Sequence, residues 1–186
     1  MSQRETPVCR PGRSFPLGAT LVAGGANFSV FSKHSATAQL LLFDDVDAAK
    51  PSRVIELDPR TNRTYHYWHV FVPGVTPGQL YGYRVAGPFD PERGLRFDHD
   101  KVLLDPYGEC IARPAGRGRE PARHPGDNAA TALRSVVTDP GNYDWEGDTP
   151  PARPFAQTII YELHVGGFTQ HSNSGLLRLS AAPMQG

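Results

Sequence analysis

The stretch Tyr65-His-Tyr-Trp-His-Val-Phe-Val72 holds the densest set of side chains with an evident chemical use. A pyranose has an apolar C–H face, and an exposed aromatic ring offers a flat apolar surface on which to lay it. In extended backbone, alternation puts His66, Trp68, Val70 and Val72 on one face and Tyr65, Tyr67, His69 and Phe71 on the other. Both faces cannot be core in a small sandwich, so one aromatic row is expected to reach solvent. Trp68, Tyr65 and Tyr67 are therefore the candidate sugar-binding residues, although a lone Trp on such a strand is more often core.

Other chemistries are poorly served. Asp98-His99-Asp100 has metal-ligand residue types, but adjacent loop residues rarely hold one ion together, and no second ligand cluster accompanies them. His34, His124, His164 and His171 make no metalloprotease spacing, and His164, inside an apolar run, reads as a satisfied core histidine. Glycoside hydrolysis needs two carboxylates about 5–9.5 Å apart on rigid elements. Glu162 stands alone on its run, and Asp139, Asp144, Glu146 and Asp148 lie in a turn-rich segment where capping is their ordinary use. Nucleophile-elbow, phosphate-loop and dinucleotide-binding patterns are missing from the sequence. The residues themselves thus point to no catalytic site, metal or cofactor.

The elements that must position the aromatic row are short strands. Asn27-Phe-Ser-Val30 follows the Gly24-Gly25 turn, and further strands are expected over Thr37–Phe43, Arg53–Leu57, Tyr65–Val72 and Leu80–Ala86. Turn chemistry separates them at Asp58-Pro59, Pro73-Gly74 and Pro77-Gly78. Strands at this spacing, with no helical periodicity between, imply an antiparallel β-sandwich. Its expected core is Phe28, Val30, Leu40, Leu42, Val54, Ile55, Val70, Val72, Tyr83 and Val85. Beyond Gly87-Pro88 the texture changes. Val102-Leu-Leu104 reads as one helical turn, and Arg113 to Asn128, rich in Arg, Pro, Gly and Ala, as an exposed loop. Thr158 to Val165 is a continuous apolar, β-branched run closed by Gly166-Gly167, the pattern of a strand buried on both faces in a parallel sheet.

Composition fits this outline. Gly 19 and Pro 18 among 186 residues favour strands and turns over a helical bundle. Lys+Arg and Asp+Glu are each 19, giving zero net charge and no electrostatic case for nucleic acid or an anionic membrane as partner. Cys9 and Cys110 are isolated, the pattern of reduced thiols. No apolar run reaches spanning length and the N-terminus lacks an apolar leader, so a cytoplasmic protein is expected.

Several segments together resemble one family. Pro16-Leu-Gly-Ala19 with Gly25-Ala-Asn-Phe-Ser-Val-Phe-Ser32 is similar to the start of isoamylases and bacterial glycogen debranching enzymes of glycoside hydrolase family 13. So are Tyr81-Gly-Tyr-Arg-Val-Ala-Gly-Pro88, Arg96-Phe-Asp with Lys101-Val-Leu-Leu-Asp-Pro-Tyr107, and Ile160-Tyr-Glu-Leu-His-Val-Gly-Gly-Phe-Thr169. The resemblance implies a mainly β chain: an immunoglobulin-like, starch-binding-like sandwich, a linker, and the isolated first strand of a (β/α)₈ barrel. It also implies α-glucan (glycogen or a starch-like polysaccharide) as partner and hydrolysis of α-1,6 branch linkages as the family activity. The family's catalytic carboxylates come from later barrel strands, so none is carried onto this chain.

The expected organisation is a flexible arm (1–13), a sandwich (14–110), a linker (111–154), the start of an incomplete barrel (155–175) and a tail unlike the family (176–186). One synonymous codon choice for that tail, shifted by one base, encodes Ala-Pro-Val-Arg-Arg-Thr-Tyr, similar to the family's segment. A frameshifted fragment of a debranching enzyme without hydrolase activity of its own is the first reading. The alternative is a stand-alone glucan-binding or regulatory module acting with a full-length glycogen enzyme. On either reading, the apolar run 158–165 is expected to pack on the sandwich or drive self-association.

Overall fold

Alternating apolar residues in the 25–31 and 67–73 segments pair into one sheet, and those of 37–43 and 80–86 into another. The computed structural model of the chain describes residues 8–175. The strands are β1 (Arg10–Pro11), β2 (Gly18–Val22), β3 (Gly25–Phe31), β4 (Thr37–Phe43), β5 (Arg53–Leu57), β6 (Arg63–Thr64), β7 (Tyr67–Pro73) and β8 (Leu80–Ala86). They continue with β9 (Phe89–Asp90), β10 (Leu95–Arg96), β11 (Cys110–Ala112) and β12 (Arg134–Val136). The first sheet runs β1-β7-β3-β2, with β6 also on β7; the second runs β11-β12-β8-β4-β5; β9 and β10 form a separate pair. Every strand pairing is antiparallel.

The core lies between the two sheets. Ala26, Phe28 and Val30 of β3 and Trp68, Val70 and Val72 of β7 face Ala38, Leu40 and Leu42 of β4, with Ile55, Leu57, Tyr81 and Tyr83. Phe28 meets Tyr81 edge-on with centroids 5.0 Å apart. Each fully buried ring or aliphatic chain contributes about 1.5–3 kcal/mol through the water it sheds. Val54, expected inside, points outward: its neighbour Ile55 is buried, and a pleated strand cannot send both inward.

The unbroken apolar end of β4 has a separate reason. Leu41 and Phe43 point away from the main core and form a second cluster with Val102 and Ala129. The outer face of the second sheet is thus covered by the segment that follows β10. The expected helical turn over Val102-Leu-Leu104 is instead extended backbone: Leu103 bridges Tyr83, with N–H···O distances of 2.9 and 2.8 Å in the two directions. β12 occupies the β8 edge only at Tyr81 and Leu80, so Tyr83 needs another partner, and Leu103 supplies it. Gly82 permits the approach, since a Cβ there would meet Val102 Cγ1 at 2.9 Å.

Two buried cations hold the 113–134 stretch. Lys101 Nζ donates to the carbonyls of Pro121 (3.1 Å), His124 and Gly126. Arg134, fully buried, lays its guanidinium over Phe43 at 3.8 Å and donates to the carbonyls of Ala132, Ala129 and Ala48. The expected exposed loop is therefore pinned, and it contains the short helix α1 (Glu120–Arg123). Because β11 and β12 belong to the second sheet, the sandwich continues past the boundary expected at residue 110. The described part of the expected N-terminal arm is fastened as well. Arg10 and Pro11 pair with Phe71 and Val70, while Asn27 accepts from Arg13 N–H at 2.7 Å and donates to Arg13 O at 3.0 Å.

The described residues up to Tyr143 form one compact unit and those from Asp144 a second. In the second, Thr158 to His164 has no strand partner among the described residues, which corrects the expected buried strand. Ile159 is 95% exposed. A strand's N–H and C=O groups need a neighbouring ladder, and apolar composition does not replace one. Val165–Gln170 is instead the short helix α2, and His164 is an exposed cap rather than a core histidine: its Nδ1 accepts from Gly167 N–H at 2.9 Å. The tail 176–186, and the frame change expected there, lie outside the described residues.

Candidate functional site

The aromatic row is built by a tight turn. Thr64 of β6 pairs with Tyr67 of β7, leaving Tyr65 and His66 as the two connecting residues. Two-residue hairpin loops favour left-handed backbone, usually supplied by Gly or Asn. Here Tyr65 takes that conformation, with φ of 57°. A side chain in this region costs about 1–2 kcal/mol, and such outliers concentrate at functional sites. The turn is tied from both sides: Arg63 Nε donates to Tyr65 O at 2.9 Å, and Ser32 N–H donates to His66 O at 2.8 Å.

The strained residue carries an exposed ring. Tyr65 is 77% exposed and lies over His66, with centroids 3.7 Å apart and planes tilted by 37°. Phe31, at the end of β3 and 45% exposed, meets His66 edge-on at 6.0 Å and Tyr67 at 5.4 Å. Phe31 and Tyr67 are also register partners across β3 and β7. The result is a connected row, Tyr65–His66–Phe31–Tyr67, that presents flat apolar surface beside polar hydroxyl groups. Such a surface suits a sugar chain better than a charged small molecule held in a closed cavity. Desolvation, and then the neighbouring charges of Lys33, Arg63 and His34, hold the His66 imidazole below the usual histidine range.

Of the three residues expected in the site, Tyr65 and Tyr67 belong to the row, linked through His66 and Phe31, while Trp68 lies in the core. Trp68 is 0% exposed, and its indole N–H donates to Ser35 Oγ at 2.8 Å. It shares its face with Val70 and Val72, both core, so burial follows from alternation. The Arg63 guanidinium rests 4.8 Å from its ring centroid. Phe31 and His66 are the members that the aromatic-strand pattern missed. Parity points to Phe31: Phe28 and Val30 are core, so the odd position beyond them faces outward. On the opposite face of β7, His69 is buried, with Nε2 at 2.9 Å from Thr64 Oγ1, while Phe71 is capped by Arg10.

The other singled-out residues serve the fold. Asp98 Oδ1 accepts from Asp100 N–H at 3.0 Å, and His99 Nε2 lies 3.2 Å from Asp100, a local turn; no group of three metal-ligating side chains occurs among the described residues. Asp105 is buried, accepting from Tyr81 OH at 3.0 Å and Tyr107 N–H at 2.9 Å; burial pushes its carboxyl up and the Tyr81 phenol well up. Cys9 and Cys110 are unbridged. A groove of about 840 Å³ also opens beside Phe89, Leu95, Phe97 and Leu103. No described helix is long and apolar enough to cross a membrane.

Two facing antiparallel sheets with loop segments packed on one of them define an antiparallel β-sandwich. The family profile of carbohydrate-binding module 48, the isoamylase N-terminal domain, matches residues 16–108, and the chain belongs to that family. It is 44% identical to the glycogen debranching enzyme of Serratia proteamaculans, covering 87% of this chain and 24% of that protein. It is 39% identical to chloroplastic isoamylase 1 of Oryza sativa subsp. japonica, covering 89% of this chain and 20% of that protein. The chain thus spans a quarter or less of these curated relatives.

In fold it is similar to the pullulanase of Paenibacillus barengoltzii in complex with maltohexaose and α-cyclodextrin. That match has a TM-score of 0.54 at 20% identity, over 89% of this chain and 22% of that one. The pullulanase of Bacillus acidopullulyticus matches with a TM-score of 0.52 at 23% identity, over 87% of this chain and 17% of that one.

Proposed function

We propose that this chain supplies the N-terminal glucan-binding domain of a cytoplasmic glycogen debranching enzyme. The associated reaction is hydrolysis of α-1,6 linkages, and the sandwich holds the α-glucan. The observation that carries the binding reading is the row Tyr65–His66–Phe31–Tyr67, with Tyr65 and Phe31 exposed, His66 and Tyr67 half-buried, and a strained turn fixing it on a sandwich of the carbohydrate-binding module 48 family. Stacking on two or three rings, with weak hydroxyl contacts, suits one stretch of a long polymer bound at many equivalent points.

Affinity electrophoresis through gels with and without glycogen tests this reading. The wild-type chain is expected to be retarded and Tyr65→Ala/Tyr67→Ala to lose most of the retardation, while Phe89→Ala, in the separate groove, behaves as wild type. Retardation abolished by Phe89→Ala and unchanged by the tyrosine variant would move the site to the groove. Equal mobility with and without glycogen for the wild type would overturn binding altogether.

A second reading concerns the other unit. Ile159, Ile160 and Tyr161 are exposed on backbone that has no ladder partner among the described residues. We propose that copies of the chain associate through 158–165. Light scattering should then show a concentration-dependent mass that Ile159→Lys/Ile160→Lys abolishes; a constant monomer mass in the wild type contradicts it.

A further inference from the structure

The aromatic row is bordered by Lys33, His34 and Arg63, none of which lies within ion-pair distance of a carboxylate among the described residues. Lys33 and His34 are exposed on the β3–β4 connection, and Arg63 stands at the base of the turn. Arg63 is fixed by three backbone carbonyls: its Nε donates to Tyr65 O, its Nη1 to Ser35 O at 3.3 Å and its Nη2 to Lys33 O at 3.3 Å. Those bonds orient the guanidinium and leave its charge unneutralised. Among the described residues, the ion pairs of the sandwich's Arg and Lys side chains lie elsewhere, at Arg84–Asp127, Arg93–Asp90, Lys101–Asp98 and Arg123–Glu120. In a chain of zero net charge, this patch carries local positive charge that its own fold does not use. The three charges are close enough to act together on His66.

A neutral glucan has no need of that charge, since stacking and hydroxyl contacts suffice. Concentrated positive charge beside a stacking row matches a sugar chain that carries its own anion. A phosphate monoester bears about −1.5 to −2 charge near pH 7 and three strong acceptor oxygens. Its charge-assisted hydrogen bonds are roughly twice as strong as neutral ones.

We propose that the row Phe31, Tyr65, His66 and Tyr67, together with Lys33 and His34, binds α-glucan carrying phosphate monoester groups. The rings hold the glucosyl units, and the exposed Lys33 ammonium and His34 imidazole donate hydrogen bonds to the phosphate beside them. Arg63 sets the field and holds the turn. The proposal rests on the glucan-binding reading above and specifies the chemical form of that glucan.

Titration calorimetry of the full chain tests it with three probes: a phosphorylated maltooligosaccharide, the same oligosaccharide after dephosphorylation, and inorganic phosphate. The phosphorylated form is expected to bind about tenfold more tightly at low salt, with the advantage shrinking as ionic strength rises. Lys33→Gln/His34→Gln, exposed positions that leave the core intact, should erase the advantage while leaving the neutral oligosaccharide unaffected. The His66 Cε1 proton should shift with both oligosaccharides, and its titration should move upward only with the phosphorylated one.

Equal affinity for the two oligosaccharides, or a preference retained in the double variant, would sink the phosphate inference and leave glucan binding standing. Inorganic phosphate binding as tightly as the phosphorylated oligosaccharide would also overturn it, as a plain anion site. Failure of the dephosphorylated oligosaccharide to bind would instead count against the underlying glucan reading.

Discussion

Trp68 and Tyr65 lie three residues apart on one hairpin and meet opposite fates. Trp68 is fully buried with its indole N–H satisfied by Ser35, whereas Tyr65 is exposed on left-handed backbone. The buried ring stabilises the sandwich, and the exposed one costs stability and offers surface. Ring type therefore says little about a sugar site; what separates them is which side of the pleat each occupies and how the turn bends the chain. Arg63 links the two, resting on the Trp68 face while holding the Tyr65 carbonyl.

This contrast can be broken at several points. Trp68→Ala should lower unfolding stability by about 3–5 kcal/mol, read from denaturant midpoints. The fraction that remains folded should retain glucan affinity close to wild type. A folded variant with tenfold weaker binding would assign Trp68 to the site after all. Tyr67→Ala should do the reverse, weakening glucan binding about fivefold through the loss of one stacking ring while barely moving the denaturation midpoint.

Tyr65→Gly gives the sharpest sign test. Relief of the left-handed strain should raise stability by about 0.5–1 kcal/mol, and binding should fall because the ring is gone. A variant both less stable and weaker in binding would mean that the Tyr65–His66 stack, rather than the backbone, dominates the turn.

The smallest effect concerns pH. Burial holds the His69 imidazole below its ordinary 6.5, so the native state stays neutral where the unfolded chain takes up a proton. Its contribution is therefore intact above about pH 6.5 and is lost as pH falls through the lower folded value. The thermal midpoint should decline on acidification from pH 7 to 5, and His69→Gln should flatten part of that slope.

Much of the sandwich was legible because its strands alternate and its turns carry Gly and Pro. β4, β5 and β8 start and stop where the pattern places them, and nine of the ten expected core residues face inward or pack against the core, all except Val54. The segments beyond Gly87 were not legible. Lys101 and Arg134 order them by capturing backbone carbonyls, and a carbonyl has no side-chain signature.

Two apolar runs make the same point. Thr37–Phe43 is a central strand with partners on both edges, while Thr158 to His164 has similar composition and no strand partner among the described residues. Composition states that a segment can be a strand; only neighbours make it one. Within the proposed site, the outward face of Tyr67 followed from alternation along β7, whereas Tyr65 lies in the turn before that strand, where alternation does not apply. The outward face of Phe31 follows from parity along β3, but its pairing with Tyr67 was hidden, because cross-strand register sets it 36 residues away in sequence.

The most direct test of the central claim is residue-resolved mapping of aromatic proton shifts during titration with maltoheptaose. Glucan binding at the hairpin should shift the ring protons of Phe31, Tyr65, His66 and Tyr67 together, along one saturating curve, with Trp68 and Phe89 nearly still. Shifts centred on Phe89 and Phe97, or none at saturating oligosaccharide, would contradict it.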